Sequence, residues 1–202
     1  KKRLREDEIN FDKLRSYRLD RVKKELEKNN LEACILFDPV NVRYALDTTN
    51  MSIYNMHNLT RYCFIPVNGP VILYEYFNCE GLSSHLSLIN EVRPAITWDY
   101  FSNGDQANLQ LKKWINEINS LSNSYFKSKK IAIDVINGPA VTALNKVGIK
   151  VVDAKLIIEQ ARVIKSPEEL KCMKAALEVA GIGIGKMREE LKAGMTEDEL
   201  WS

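Results

Sequence analysis

Residues 50–64, NMSIYNMHNLTRYCF, hold one of the two histidines in a chain of 202 residues, together with Arg61, Tyr54 and three asparagines. Each of these side chains could do chemistry on a bound molecule. Arg61 carries a rigid fork of donors that fits a carboxylate. Tyr54 offers an aromatic face to a cation or an apolar group, and His57 can donate a hydrogen bond. The stretch runs directly into the apolar residues 62–67, so these groups sit at the mouth of a strand. Two readings stand at this point. The loop is a binding site, or Asn50, Asn55 and Asn58 cap turns while Arg61 makes a surface ion pair, as in many plain polar loops.

Other chemistries find little support. His57 and His85 are isolated from each other and from carboxylates at ligand spacing, and there is no HExxH, CxxC or Asp-x-Asp run, so no metal centre is expected within these residues. No GxSxG elbow is present, and Cys63, six residues from His57, reads as a core thiol beside an apolar strand. GIGIGK at 181–186 fits neither GxGxxG nor GxxxxGK[ST] and lies inside a helical stretch, where glycines 181, 183 and 185 are expected to permit close helix packing.

Hydrophobic residues make up 45% and charged residues 28%, and the net charge is +2, values of an ordinary globular protein. Basic and acidic residues alternate along helical stretches, which argues against a nucleic-acid footprint. No apolar run reaches the roughly 20 residues that a membrane span needs, and the opening KKRLREDEIN is too charged for a signal peptide. The spacing of Cys34, Cys63, Cys79 and Cys172 suits neither a disulfide framework nor a zinc site, so reduced thiols in a cytoplasmic protein are expected. The chain does not begin with Met and stops at DELWS, one turn into a capped helix. A piece of a longer protein is therefore expected rather than a complete one.

The elements that must position residues 50–64 follow from pattern. Leu14, Tyr17, Val22 and Leu26 lie near helical spacing across 11–29. EACILF is a buried strand, and Asp38-Pro39 supplies an N-cap and a first-turn proline for a short helix through Leu46. YCFIPV and VILYEYF flank Asn68-Gly69, the strongest short-range hairpin signal. RPAITW and KIAIDVI read as further strands, separated by an amphipathic helix over 106–123. GPAVTALNKVG is a helix closed by Gly148, and IKVVD is a last strand. The alternation predicts an α/β fold, a mixed sheet flanked by helices. From Asp153 the texture turns helical: SPEE at 166–169 is a capping box, its helix runs to Lys192, and Thr196 with Glu199 forms a second capping box.

Two sets of residues resemble a known superfamily. ARVIKSPEELKCMKAALEVA at 161–180, followed by GMTEDELW, is similar to the junction in creatinase, prolidase and aminopeptidase P enzymes. There an N-terminal α/β domain joins a "pita-bread" metal-binding domain. LFDPVNVRYALDTTNM at 36–51 is similar to their N-terminal-domain signature. Within the superfamily, DTTNMSIYNMHNLTRY looks most like the dimethylsulfoniopropionate lyase branch, through Asp47, Thr49, Asn50, Met51, Asn55, His57, Asn58 and Arg61. Tyr54 departs from that pattern, standing where the branch is expected to carry tryptophan.

The resemblance implies a creatinase-type N-terminal domain over residues 1–158 and the first helices of a pita-bread domain over 159–202. No catalytic or metal-binding residue is then expected in this chain; divalent metal ions belong to the catalytic domain beyond Ser202. The resemblance also implies a homodimer in which this domain borders the partner's active site. Tyr54, His57, Asn58 and Arg61 would be substrate-lid residues, with Arg61 on the carboxylate of a small anionic substrate and Tyr54 on its other end. The reaction is left open between hydrolysis and a lyase reaction. A stand-alone dimerisation or ligand-binding module is the competing reading. The apolar side of residues 166–192 is expected to lie against the missing domain.

Overall fold

Among residues 8–201, which the computed structural model of the chain describes, six strands form one mixed sheet in the order β4-β3-β2-β1-β5-β6. They are β1 (Ala33–Leu36), β2 (Tyr62–Pro66), β3 (Ile72–Glu75), β4 (Glu91–Pro94), β5 (Lys130–Ile133) and β6 (Lys150–Asp153). β2 is antiparallel to both of its neighbours, and every other pairing is parallel. The carboxyl ends of five strands and the amino end of β2 therefore share one edge of the sheet.

The helices of this unit, Arg15–Ile164, cover both faces. α1 (Phe11–Lys28), α2 (Pro39–Leu46) and α7 (Lys155–Val163) bury Leu19, Val22, Leu26, Val42, Leu46 and Ile158 against Cys34, Leu36, Cys63, Ile65 and Leu73. On the other face α5 (Ala107–Tyr125) and α6 (Gly138–Lys146) bury Trp114, Ile118, Leu121 and Leu144 against Ile35, Phe64, Ile72, Ile131 and Ile133. The alternation of strand side chains between the two clusters is the period of two that a sheet covered on both faces requires. The expected α/β fold with a mixed sheet flanked by helices is the observed one. Cys34 and Cys63 are buried free thiols, and Cys79 and Cys172 are partly exposed.

Three local departures from the sequence pattern have physical causes. The β2–β3 hairpin forms, but its connection spans Val67–Val71 and no residue except Gly69 has positive φ there. A two-residue turn centred on Asn68-Gly69 would need an N–H from Pro70 to close it, and proline has none. β4 begins and ends earlier than RPAITW suggested: Pro94 ends the ladder, and Trp98 packs against Phe37 and Trp114. Residues 50–58, which had no regular pattern, contain a helix, α3 (Ser52–His57). α4 (Tyr100–Asn103), capped by Asp99, is a further short helix of this unit.

The second unit comprises residues 8–14 and 165–201. α8 (Pro167–Glu190) opens on the expected capping box, with Ser166 and Glu169 exchanging hydrogen bonds. α9 (Glu197–Trp201) follows, with Thr196 and Glu199 doing the same. Glu168 accepts from the Asn10 amide, and Lys171 donates to the Glu8 carbonyl. Along α8, Leu170, Met173, Leu177, Ile182 and Ile184 are exposed. Among the described residues nothing lies within 4 Å of a Cβ built on Gly181, Gly183 or Gly185.

Candidate functional site at the carboxyl edge of the sheet

α2 ends at Asp47, which adopts a left-handed conformation (φ 56) and accepts a hydrogen bond from Arg15 Nε at 2.8 Å. Met51 is also left-handed (φ 43) and starts α3 without a side-chain cap. A left-handed non-glycine residue costs about 1 kcal/mol or more and persists only where neighbours hold it. The Asn50 carbonyl, just before Met51, accepts from Asn55 Nδ2 at 2.6 Å, and the Thr49 and Ser52 hydroxyls share a hydrogen bond of 2.7 Å. Asn50 is itself tied to β3, its Nδ2 donating to Glu75 Oε1 at 3.2 Å.

Beneath α3 lies a buried polar layer. Arg61 Nε donates to Glu75 Oε2 at 2.7 Å, the two side chains being 2% and 1% exposed. Arg61 Nη2 donates to Thr48 Oγ1 at 2.7 Å, and Thr48 in turn shares a hydrogen bond of 2.6 Å with Ser83 on the 3₁₀ turn Glu80–Ser83. Glu75 Oε1 also accepts from the Tyr76 amide. Alongside, Asn55 Oδ1 accepts from the Thr60 hydroxyl at 3.0 Å and the Tyr76 phenol at 2.7 Å, and those two hydroxyls lie 2.9 Å apart. Burial raises the Tyr76 pKa, so the phenol stays protonated as a donor.

The outer side of the same segment is the opposite in character. Met51, Ile53 and Met56 are exposed, Ile53 at 79%. Met51, Ser52, Ile53, Tyr54, His57 and Asn58 line a shallow recess of about 530 Å³. The Tyr54 ring stands 6.3 Å from that of Tyr76, and His57 is exposed. Three of the four expected lid residues, Tyr54, His57 and Asn58, therefore come together. Arg61 does not join them: its guanidinium is buried and paired with Glu75. The expected surface ion pair is thereby corrected to a buried one, and Arg61 does not line the recess. The physical reason is register. The antiparallel ladder that pairs Tyr62 with Tyr74 sets Arg61 against Glu75 when continued by one residue.

Sequence reading missed Glu75, Thr48 and Ser83 as members of this assembly. Glu75 carried a signal, a carboxylate inside the apolar run VILYEYF, where an ionised group needs a buried partner. Thr48 and Ser83 carried none, since their contacts depend on loop placement. His85 is exposed and makes no part of the assembly.

A second buried carboxylate marks the same edge. Asp134, after β5, accepts from the Phe37, Asp38 and Val135 amides and from Asn41 Nδ2, all within 3.2 Å. Burial nonetheless raises its pKa above the ordinary 3.8. Among the described residues, no three His, Cys, Asp or Glu side chains gather to hold a metal ion. The two buried carboxylates of this edge are engaged by amide N–H groups and one guanidinium, a set that does not fit a metal ion.

The carboxyl edge of this α/β sheet thus carries a loop with a polar base and an apolar outer face. The Creatinase/Prolidase N-terminal domain model matches residues 18–164, and the chain belongs to that family. Over 195 residues it is 28% identical to the dimethylsulfoniopropionate lyase DddP of Roseobacter denitrificans, a match covering 94% of this chain and 44% of that protein. The chain thus spans less than half the length of this curated relative. Its fold is similar to that of an Xaa-Pro dipeptidase from Bacillus anthracis (TM-score 0.65, 14% identity, covering 92% of this chain and 46% of that one). It is also similar to the prolidase from Pyrococcus horikoshii OT3 (TM-score 0.60, 19% identity, covering 91% and 45%). Among the described residues no helix is long and apolar enough to cross a membrane.

Proposed function

We propose that this chain supplies the substrate-lid and dimerisation part of a metal-dependent enzyme of the pita-bread superfamily, a hydrolase or a lyase, whose divalent metal ions are held by residues outside those described. The observation that carries the reading is the two-sided build of residues 48–61. A lid must present the same surface at every encounter, and the buried Arg61–Glu75 layer fixes α3 from below. It must also exclude water from what it covers, and the exposed Met51, Ile53 and Met56, with Tyr54 of the recess, offer that apolar cover.

In this reading the recess faces a small anionic substrate bound in the partner subunit of a homodimer. His57 and Asn58 supply hydrogen-bond donors for its polar end. Tyr54 supplies a π-face for an apolar or cationic end. Arg61 acts through Glu75 and Thr48 as a positioning residue and does not touch the substrate. The metal ions would supply Lewis-acid chemistry in the catalytic half.

The test uses the protein at the full length of its gene, with prolyl dipeptides and dimethylsulfoniopropionate as the substrate panel, after the names of its relatives. Tyr54→Ala and His57→Ala should each lower kcat/KM by about 5- to 30-fold on whichever substrate is turned over, the loss of one or two contacts of roughly 1 kcal/mol each. Thermal stability should be unchanged. Kinetics indistinguishable from the parent in both variants would sink the lid reading.

A further inference from the structure

The sequence contains three Asn-Gly pairs, Asn68-Gly69, Asn103-Gly104 and Asn137-Gly138. The chemistry of such a pair is intrinsic. The backbone nitrogen of the glycine, unhindered by a side chain, attacks the asparagine Cγ. The new N–Cγ bond closes a five-membered succinimide, the Cγ–Nδ2 bond breaks, and ammonia leaves with the proton that the glycine nitrogen lost. Water then opens either carbonyl to give aspartate or isoaspartate. Neither an oxidant nor an enzyme is needed. What differs between the three pairs is whether hydrogen bonds engage the reacting groups.

Two pairs are held. Asn103 Nδ2 donates to the Thr97 carbonyl, the Thr97 hydroxyl and the Asp99 carbonyl, each at 3.1 Å. Its nucleophile is engaged as well, since the Gly104 amide donates to the Tyr100 carbonyl. Asn137 is the N-cap of α6: its Oδ1 accepts from the Ala140 amide at 3.1 Å and from Trp98 Nε1 at 3.2 Å. Turning its Cγ toward the Gly138 nitrogen would uncap the helix and strand a buried indole N–H.

Asn68 is different. It lies exposed in the β2–β3 connection. Among the described residues neither its side chain nor the Gly69 amide has a hydrogen-bond partner. We infer that Asn68 is the site of spontaneous deamidation in the folded protein, converting to aspartate and isoaspartate while Asn103 and Asn137 remain intact.

The product would not be silent. Isoaspartate adds one carbon to the backbone path of a connection packed on one side: a Cβ on Gly69 would lie 2.8 Å from the Tyr125 ring, so that ring rests on Gly69 with no room to spare. The new carboxylate would also join Glu27 and Glu32, which line the same recess as Asn68.

The test is to age the folded chain at neutral and mildly alkaline pH and to follow the three Asn-Gly peptides by mass spectrometry, with fragmentation that separates aspartate from isoaspartate. In the native protein Asn68 should convert at least about ten-fold faster than the other two, the factor expected if one or two hydrogen bonds must first open at those sites. In urea the three rates should converge. The Asn68→Ser variant should lose most of the label that an isoaspartyl methyltransferase transfers to the aged parent. Native rates that are equal at the three sites, or Asn68 slower than either of the others, would overturn the inference. So would an aged Asn68→Ser variant labelled as strongly as the parent.

Discussion

Residues 48–61 have two sides built on opposite rules. The inner side buries polar groups, Arg61, Glu75, Asn55, Thr48 and Thr60, and satisfies them with one another. The outer side exposes Met51, Ile53 and Met56 to solvent. An ordinary surface loop does the reverse. The inversion teaches where to look for function in this segment. Its most reactive-looking residue, Arg61, is spent on structure, and its least reactive-looking residues form the surface that remains open to a ligand or a partner.

The sharpest way to break this comparison is to remove one partner of the buried ion pair. Glu75→Gln leaves the Arg61 guanidinium buried without its counter-charge, and should cost about 3–5 kcal/mol of folding stability, measured by urea denaturation. Replacing both, with Arg61→Met and Glu75→Leu, should recover part of that loss, because it removes the unpaired charge while leaving the Asn50 side-chain amide and the Tyr76 backbone amide without their acceptor. A loss below about 1 kcal/mol for Glu75→Gln would mean that solvent reaches the pair and that the inner side is not a sealed base. A smaller effect is expected one layer up. Asn55→Ala removes the acceptor shared by Thr60 and Tyr76 and should cost about 1–3 kcal/mol.

Much of the fold was legible in the sequence because its signals are local. Asp38-Pro39 marks a helix start by cap chemistry, SPEE does so by a reciprocal pair of hydrogen bonds, and the strands show as apolar runs. The site was legible only in part. Tyr54, His57 and Asn58 stand out by type, and the structure brings them together. The role of Arg61 depended on a pairing across the hairpin. That pairing was within reach of counting, since Arg61 and Glu75 are equidistant from Asn68, but it required the register and not only the presence of a hairpin. α3 was hidden for a different reason. It is short, starts from a left-handed Met51 and is held by Asn55 and Thr49, so neither periodicity nor a standard N-cap announces it.

The two buried carboxylates at this edge sharpen the comparison through pH. Glu75 is matched by a cation, whereas four neutral donors hold Asp134 and burial raises its pKa above 3.8. For a carboxyl with a raised native pKa, the folded state holds the proton more tightly than the unfolded chain does. Its contribution to stability is complete below the ordinary value and is lost as pH rises through the raised one. The stability of the parent relative to Asp134→Asn should therefore be greatest in acid and decline as pH climbs from about 4. The opposite slope would mean that the four donors outweigh burial.

The smallest expected effect on stability is on the outer side, and it carries the most information about function. Ile53→Ser and Met56→Ser remove largely exposed apolar groups, so each should change folding stability by less than about 0.5 kcal/mol. If the rim is a lid or a subunit contact, the same substitutions in the full-length protein should still weaken dimerisation, measured by analytical ultracentrifugation, or raise KM. An internal packing role would require the reverse, lost stability with unchanged assembly and kinetics. The two sides of one short segment thus separate in a pair of measurements. Variants beneath α3 should unfold the protein before they change what it binds, and variants on its outer face should change what it binds while the fold stays as it is.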